Sequence, residues 1–314
     1  MRTLRIATRK SPLALWQARH VADLLARRHP GLQSSLIEMT TSGDRFLQAP
    51  LAEIGGKGMF IKEIEEALLE RNADLAVHSL KDVTTLVPGE LCIAAVPARE
   101  DARDAFVSPS VARLGDVARD ASIGTSSLRR QCQLLERRPD LRIVSLRGNV
   151  ETRLRKMREQ GLAGVVLAVA GLRRLKLEGQ VAEVLDAGVM LPAVGQGALA
   201  IECRAEDEEV RELLAPLNDE KTRTEVSAER SFLAELQGGC RVPLAGHAIL
   251  TGETLRLRGL VGSPDGKTVI RGERSGPSRT AVTIGKALAQ EIASRGGREI
   301  LQAFGGNPTA VPDS

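Results

Sequence analysis

Short apolar runs alternate with segments of helical period through the first two thirds of the chain. Leu4–Thr8 alternates as a strand, and Ser11-Pro12 then opens a helix, with serine as N-cap and proline at the first helical position. Leu13, Trp16, Val21, Leu24 and Leu25 follow at helical spacing and form its core face. Leu32–Thr40 reads as the next strand, Phe60–Leu69 as a helix, and Leu75–Val77 and Leu91–Val96 as strands. Ala105–Val107, Ala121–Gly124, Arg142–Leu146, Val165–Ala168 and Ala198–Cys203 continue the series, with a helix over Val150–Gln160. After residue 217 the pattern changes. A helix over Asp219–Leu236 carries Thr222 and Glu225 at capping-box spacing. Strands follow over Leu244–Leu250, Leu255–Val261 and Val269–Ser275, the last two joined by a Pro264-Asp265-Gly266 turn, and a helix over Ala281–Arg295 closes the pattern.

Strand–helix alternation predicts an α/β architecture. A polar run at Pro97-Ala98-Arg99 and the Pro/Gly-rich LPAVGQGAL at 191–199 mark two crossings between units. The expected layout is two α/β domains of periplasmic-binding-protein type joined by a hinge, with ligand in the cleft between them, plus a small α+β C-terminal domain. The expected boundaries are 1–97 plus 198–216, 98–197, and 217–314.

In open α/β sheets ligands bind beyond the carboxyl ends of the strands, so polar residues at those ends are the candidates for chemistry. DLAVHSLKDV, residues 74–83, breaks from an apolar run into His78, Ser79, Lys81 and Asp82. The residues themselves fit either a surface turn with an ordinary Lys/Asp pair or a carboxylate placed to act on a bound molecule. Arg9 and Ser11 lie where the first strand meets a helix N-terminus, whose free N–H groups attract anions. GTSSLRRQCQLLERR repeats that junction with Thr125, Ser127, Arg129 and Arg130. SLRGN ends at Arg147, and Arg153 stands in the first turn of the next helix, against the macrodipole, which hints at an anionic partner. AGLRRL brings Arg173 and Arg174. Arg9, Arg129/Arg130, Arg147 and Arg174 therefore converge on one predicted edge, and convergent like charges call for bound anions, a ligand with several carboxylates or phosphates. GGKGMF, with Lys57, has no Ser/Thr after the lysine, so it reads as a flexible lid carrying a cation rather than a P-loop.

Composition narrows the field. A formal charge of +4 allows nucleic-acid binding, but aromatics are 2% and tyrosine is absent, so stacking platforms are scarce. No zinc-finger, homeodomain or RNP signature is present, and no nucleic-acid partner is expected. No apolar run nears the ~20 residues of a membrane span, and MRTLRIATRKSPL lacks a signal-peptide core, so a cytoplasmic protein is expected. Cys92, Cys132, Cys203 and Cys240 form no CxxC pair and stand at no metal-ligand spacing from histidine, so neither a metal site nor a disulfide framework is expected. Cys240 follows two glycines and reads either as a buried thiol at a helix end or as a nucleophile or covalent attachment point.

LRIATRKSPLALWQA, GGKGMFIKEIE, DLAVHSLKDV, GTSSLRRQCQL, SLRGNVETRL, AVAGLRRL, LPAVGQGALAIECR and GGCRVPLAGHA resemble, in order and over essentially the whole chain, the porphobilinogen deaminase (hydroxymethylbilane synthase) family. The resemblance implies a transferase of tetrapyrrole (haem and porphyrin) biosynthesis. It joins four porphobilinogen units head to tail with loss of ammonia, and releases the linear tetrapyrrole with water. It also implies a dipyrromethane cofactor held as a thioether on Cys240, Asp82 as the catalytic carboxylate, and a monomer. By the same resemblance Arg9, Ser11, Lys57, Ser79, Lys81, Thr125, Ser127, Arg129, Arg130, Arg147, Arg153 and Arg174 hold cofactor or substrate, Phe60 packs near the cofactor, and Lys81 and the arginines keep Asp82 ionised. Glu53, Thr84 and Arg241 depart from the family pattern, which expects a basic residue, a proline and a Gln or Ser there. The alternative is a non-enzymatic two-domain carboxylate-binding protein.

Overall fold

Residues 3–41, 61–237 and 242–305 are described by the computed structural model of the chain. The first sheet takes β1 (Thr3–Arg9), β2 (Gln33–Met39), β3 (Leu75–Ser79), β4 (Leu91–Ala95) and, from much later, β10 (Leu199–Arg204), in the order β2-β1-β3-β10-β4. The second takes β5 (Asp104–Val107), β6 (Ser122–Gly124), β7 (Arg142–Val144), β8 (Gly164–Ala168) and β9 (Glu183–Leu185), in the order β7-β6-β8-β5-β9. A third, antiparallel sheet is β11 (Leu244–Thr251), β12 (Thr254–Gly262) and β13 (Val269–Pro277).

The two larger sheets share one plan. Three parallel strands, β2-β1-β3 or β7-β6-β8, are followed by an antiparallel one, β10 or β5. Each antiparallel strand is the one entered after a crossing between sheets: 96–103 leads into β5, and 186–198 leads into β10. Parallel strands buried on both faces read as near-continuous apolar runs, and Leu75, Ala76 and Val77 in β3, or Val165, Val166 and Leu167 in β8, are at most 3% exposed. Helix α1 (Pro12–Arg28) is capped by the Ser11 side chain and buries Ala18, Val21 and Leu25 against the first sheet. Helix α2 (Lys62–Leu69) covers the other face with Ile64 and Leu68. In the second sheet, α3 (Leu128–Arg137) and α4 (Val150–Glu159) are capped by Ser127 and Asn149.

Some elements differ from the sequence reading. Strand β9 has three residues and helix α5 (Val169–Arg174) six, too short for either period to register. Helix α6 (Glu208–Leu214) was also outside that reading. Helix α7 (Glu220–Glu235) is not capped by a Thr222/Glu225 box. Asp219 takes the N-cap and accepts from Thr222 N at 2.7 Å. The Thr222 hydroxyl accepts instead from Arg99 N, and Glu225 from Leu250 N. Helices α8 (Ala281–Ile292) and α9 (Arg298–Gly305) pack with α7 on the third sheet around Phe232, Leu257 and Leu288.

Helix α7 also fastens both crossings. The Arg99 guanidinium, on the first, donates to Glu229 at 2.7 and 3.1 Å and to the Gln196 carbonyl at 2.9 Å. Glu229, fully buried, accepts in turn from Gly195 N on the second crossing and from Ala248 N in β11. The crossings touch: a Cβ on Gly197 (φ +88) would stand 2.3 Å from the Glu100 carbonyl oxygen, so only glycine fits. Replacing Glu229 by alanine would leave two backbone N–H groups without their acceptor and the buried Arg99 guanidinium with only the Gln196 carbonyl and the more distant Glu225. The expected loss is about 3–5 kcal/mol, read as a lower urea midpoint at unchanged slope, with Glu229→Gln falling between.

Candidate functional site

Strand β3 ends at Ser79 and the chain folds through one 3₁₀ turn, Leu80–Asp82. Leu80 plugs into the core beside Val96, Ala198 and Val226, and its N–H donates to the Ala198 carbonyl in front of β10. That fixes which way the turn faces: Lys81 and Asp82 are left outside the core. The strand end is held from behind as well. His78 Nε2 meets Glu202 Oε2 of β10 at 3.0 Å in the interior, and the Ser79 hydroxyl accepts from Gln17 Nε2 of α1 at 2.9 Å.

The second sheet brings its cations to Asp104, the first residue of β5. Ser127 caps α3, Thr125 Oγ1 accepts from Ser127 N at 3.2 Å, and Arg129 and Arg130 lie in the first turn. Arg129 Nη1 reaches Asp104 Oδ2 at 2.7 Å, and Arg130 reaches Oδ1 through Nη2 at 2.8 Å and Nε at 3.1 Å. Gln196, from the second crossing, donates to the same oxygen at 3.0 Å. Arg129 also donates to the Leu191 carbonyl and Arg130 to that of Val166. Burial alone would raise the Asp104 pKa, but the fields and hydrogen bonds of both guanidiniums outweigh it and hold the carboxyl well below its usual range. The expectation that converging arginines need an external anion is therefore corrected for this pair, because Asp104 supplies an internal one.

One carboxylate does not neutralise the group. Lys81 keeps accessible surface but is closely surrounded by protein. Burial pulls its pKa down from 10.5 to about 8; Arg130 and Arg129 add to this, while Asp82 and Asp104 oppose it. Arg153 is depressed to about 10, first by burial and then by Arg130 and Arg147, with Asp82 opposing. Its Nε is buried and has no hydrogen-bond partner among the described residues. Lys81, Arg129, Arg130, Arg147 and Arg153 thus stand within electrostatic reach of one another's group, with Asp82 and Asp104 as its carboxylates. Among the described residues the cations of this group outnumber its carboxylates, a balance that suits an anionic ligand.

Arg174 goes elsewhere. Its guanidinium lies over the Trp16 ring of α1 at 5.7 Å and donates to the Gly197 carbonyl at 2.7 Å, and burial lowers its pKa to about 10. Trp16 stacks on His20 at 4.9 Å, so Arg174 bolts α5 to α1 and the second crossing. Arg9 ends β1, half-buried, and the Ser11 hydroxyl is engaged with Ala14 N at 3.3 Å. The Thr84 hydroxyl donates to the Leu86 carbonyl at 2.6 Å. Lys57, Phe60 and Cys240 lie outside the described residues, as do Glu53 and Arg241. Sequence reasoning missed Asp104, Gln17 and Gln196. A charge opening the apolar run DAFV, and a glutamine on the buried face of α1, were the available signals.

The Lys81 ammonium should titrate near pH 8 in protein free of anions, read from ¹³C-methylated lysine resonances. Binding a polycarboxylate favours the charged form and moves that midpoint upward. Affinity is then fully present below about pH 8 and falls as pH rises through it. A Lys81 that titrates with the bulk lysines would contradict this.

The chain matches two family models. Porphobilinogen deaminase, dipyromethane cofactor binding domain, covers residues 4–212, and porphobilinogen deaminase, C-terminal domain, covers residues 223–294. It is 53% identical over 308 residues to the porphobilinogen deaminase of Syntrophotalea carbinolica, covering 98% of each chain. Solved structures with a distant likeness include the methionine binding protein MetQ (TM-score 0.43, 11% identity, 68% of this chain and 89% of that one). The BvgS VFT2 domain of Bordetella pertussis is another (TM-score 0.41, 18% identity, 68% and 85%).

Proposed function

The chain belongs to the porphobilinogen deaminase family, and we propose that it joins four porphobilinogen molecules head to tail into the linear tetrapyrrole hydroxymethylbilane, releasing ammonia at each joining. The observation that carries the reading is the cation excess gathered around one accessible aspartate. Each pyrrole of the product carries an acetate and a propionate, so carboxylates accumulate as the chain grows.

The family model names a dipyrromethane cofactor, and the donor set fits it. The Arg153 Nε, without a partner among the described residues, and the Lys81 ammonium, its pKa lowered by burial, would both be relieved by carboxylates, at roughly 1.5–3 kcal/mol per charged hydrogen bond. Lys81, Arg129, Arg130, Arg147 and Arg153, with Thr125 and Ser127, would hold its acid side chains. We assign Arg9, Ser11, Lys57, Ser79 and Arg174 to the remaining cofactor and substrate contacts, Phe60 to packing in the lid, and Cys240 to the thioether. When bound, the dipyrromethane supplies a tethered pyrrole terminus for the first joining.

The role of Asp82 follows from charge. As the aminomethyl C–N bond of porphobilinogen breaks and ammonia leaves, positive charge spreads onto the pyrrole nitrogen. A carboxylate accepting that N–H stabilises charge where it develops. The new C–C bond then forms, and the displaced ring proton needs an acceptor, which Asp82 can be. The domain division proposed is 1–97 plus 198–216 for the Asp82 unit, 98–197 for the arginine unit and 217–314 for the cysteine unit. By family resemblance the enzyme acts as a monomer in the cytoplasm; among the described residues no helix is long and apolar enough to cross a membrane. The non-enzymatic alternative is not favoured, since it leaves the family match without a reason.

Intact-protein mass should exceed the sequence mass by two pyrrole units, and Cys240→Ser should abolish the excess. Active wild type without added mass would overturn the thioether assignment. Asp82→Asn should keep fold and added mass but lose roughly 10²–10³ in turnover, and Asp82→Glu should lose less because the charge survives. Full turnover in Asp82→Asn would remove the residue from the mechanism.

A further inference from the structure

The turn that carries Asp82 is gripped from the C-terminal unit. Arg230, on α7, donates through Nη1 to the Val83 carbonyl at 3.3 Å, and through Nη2 to those of Thr84 at 2.7 Å and Thr85 at 3.4 Å. These three residues directly follow Asp82, and Val83 N closes the 3₁₀ turn on the Leu80 carbonyl. Arg230 is half-buried, and its side-chain hydrogen bonds among the described residues go to these carbonyls. Burial lowers its pKa, with the more distant Glu202 opposing. Burying a guanidinium on carbonyls alone is a costly way to hold a surface loop, and the planar fork of Arg is preorganised for several acceptors where a lysine ammonium is not. The next helical turn of α7 ends at Glu235, and five residues later the sequence reaches Cys240.

We propose that Arg230 is a positioning residue for the reaction: it sets the height and angle of the Asp82 carboxylate against the unit that carries the cofactor. The inference rests on the enzyme reading above. Arg230 touches neither substrate nor cofactor in this account; it acts through the backbone of residues 83–85. A shift of that backbone moves Asp82 while leaving the arginine group of the second sheet, which binds carboxylates, where it is. The expected signature is a loss of turnover without a loss of binding.

A cavity of about 300 Å³ already borders Arg230, lined by Leu80, Thr85, Val226, Ser227 and Val282 among others. Truncating the side chain enlarges it toward the loop carbonyls, which opens a test by chemical rescue. Arg230→Ala holoenzyme should keep the two-pyrrole mass and its KM for porphobilinogen, and lose roughly 10²-fold in kcat, the scale of a misplacement of about 1 Å. Guanidinium chloride far below unfolding concentrations should restore at least a good part of kcat. Sodium chloride at equal ionic strength should not. Amide exchange of residues 80–86 should quicken in the variant and slow again with guanidinium. If Arg230→Ala fails to fold, Arg230→Gln, which keeps a donor for one carbonyl, should show the same kcat-against-KM split in weaker form. Wild-type kcat in either folded variant, or a loss that guanidinium does not reverse while exchange stays unchanged, overturns the positioning role. A wild type lacking the added mass and turnover overturns the enzyme reading instead, so the two failures are told apart.

Discussion

A single buried carboxylate, that of Asp104, fixes the arrangement on which the site depends. It stands at the first residue of β5, directly after the chain has crossed from the first sheet, and it holds Arg129, Arg130 and Gln196. Two guanidiniums taken out of water without it would carry a desolvation cost that their carbonyl contacts could not offset. With it, the N-terminus of α3 is tied to both crossings, since Gln196 lies on the second and also donates to the Ala102 carbonyl on the first. The stoichiometry matters as much as the geometry. One anion shared between two cations orders them without neutralising them, and Lys81, Arg147 and Arg153 add further positive charge. The result is a cationic group ordered from within the protein, which is where electrostatic preorganisation acts.

Helix α7 carries that order into the C-terminal unit. Glu229 joins Arg99, Gly195 and Ala248, so both crossings and the third sheet meet at one side chain. Arg223, one turn before Ser227 on the same helix, donates to the Ile93 and Ala94 carbonyls of β4. The third unit also meets the second sheet: a Cβ on Gly262 would lie 2.5 Å from Cys132 Sγ, and one on Gly266 would lie 2.4 Å from Glu136 N. Both crossings between the two large sheets are therefore fastened to α7 and, through it, to the third sheet.

The strands of the two larger sheets were legible in the sequence because parallel strands are buried on both faces and leave uninterrupted apolar runs. The Lys81-Asp82 turn was legible for the same reason, as the abrupt end of such a run. Asp104 was not, because its partners lie 25 and 26 residues away and nothing local marks a strand-initial aspartate as the centre of an ion group. The cap of α7 was misread by one turn, since Asp219 and Thr222 both suit an N-cap and only the fold shows that Thr222 is needed by Arg99. Arg230 left no signal at all. A guanidinium that binds carbonyls has no partner type to look for in the sequence.

Arg153 and Arg174 show what position alone cannot decide. Both follow a strand of the second sheet, both sit on a helix just beyond it, and burial depresses the pKa of both to about 10. Yet Arg174 finds an aromatic face and a carbonyl within the protein, while Arg153 keeps a buried Nε with no partner among the described residues. Folded proteins rarely leave buried donors unmet, so an orphaned donor in a cationic group carries more information about a ligand than the charge itself. By that criterion the Arg153 Nε, within the field of Asp82, is the donor that the proposed acidic ligand would best satisfy.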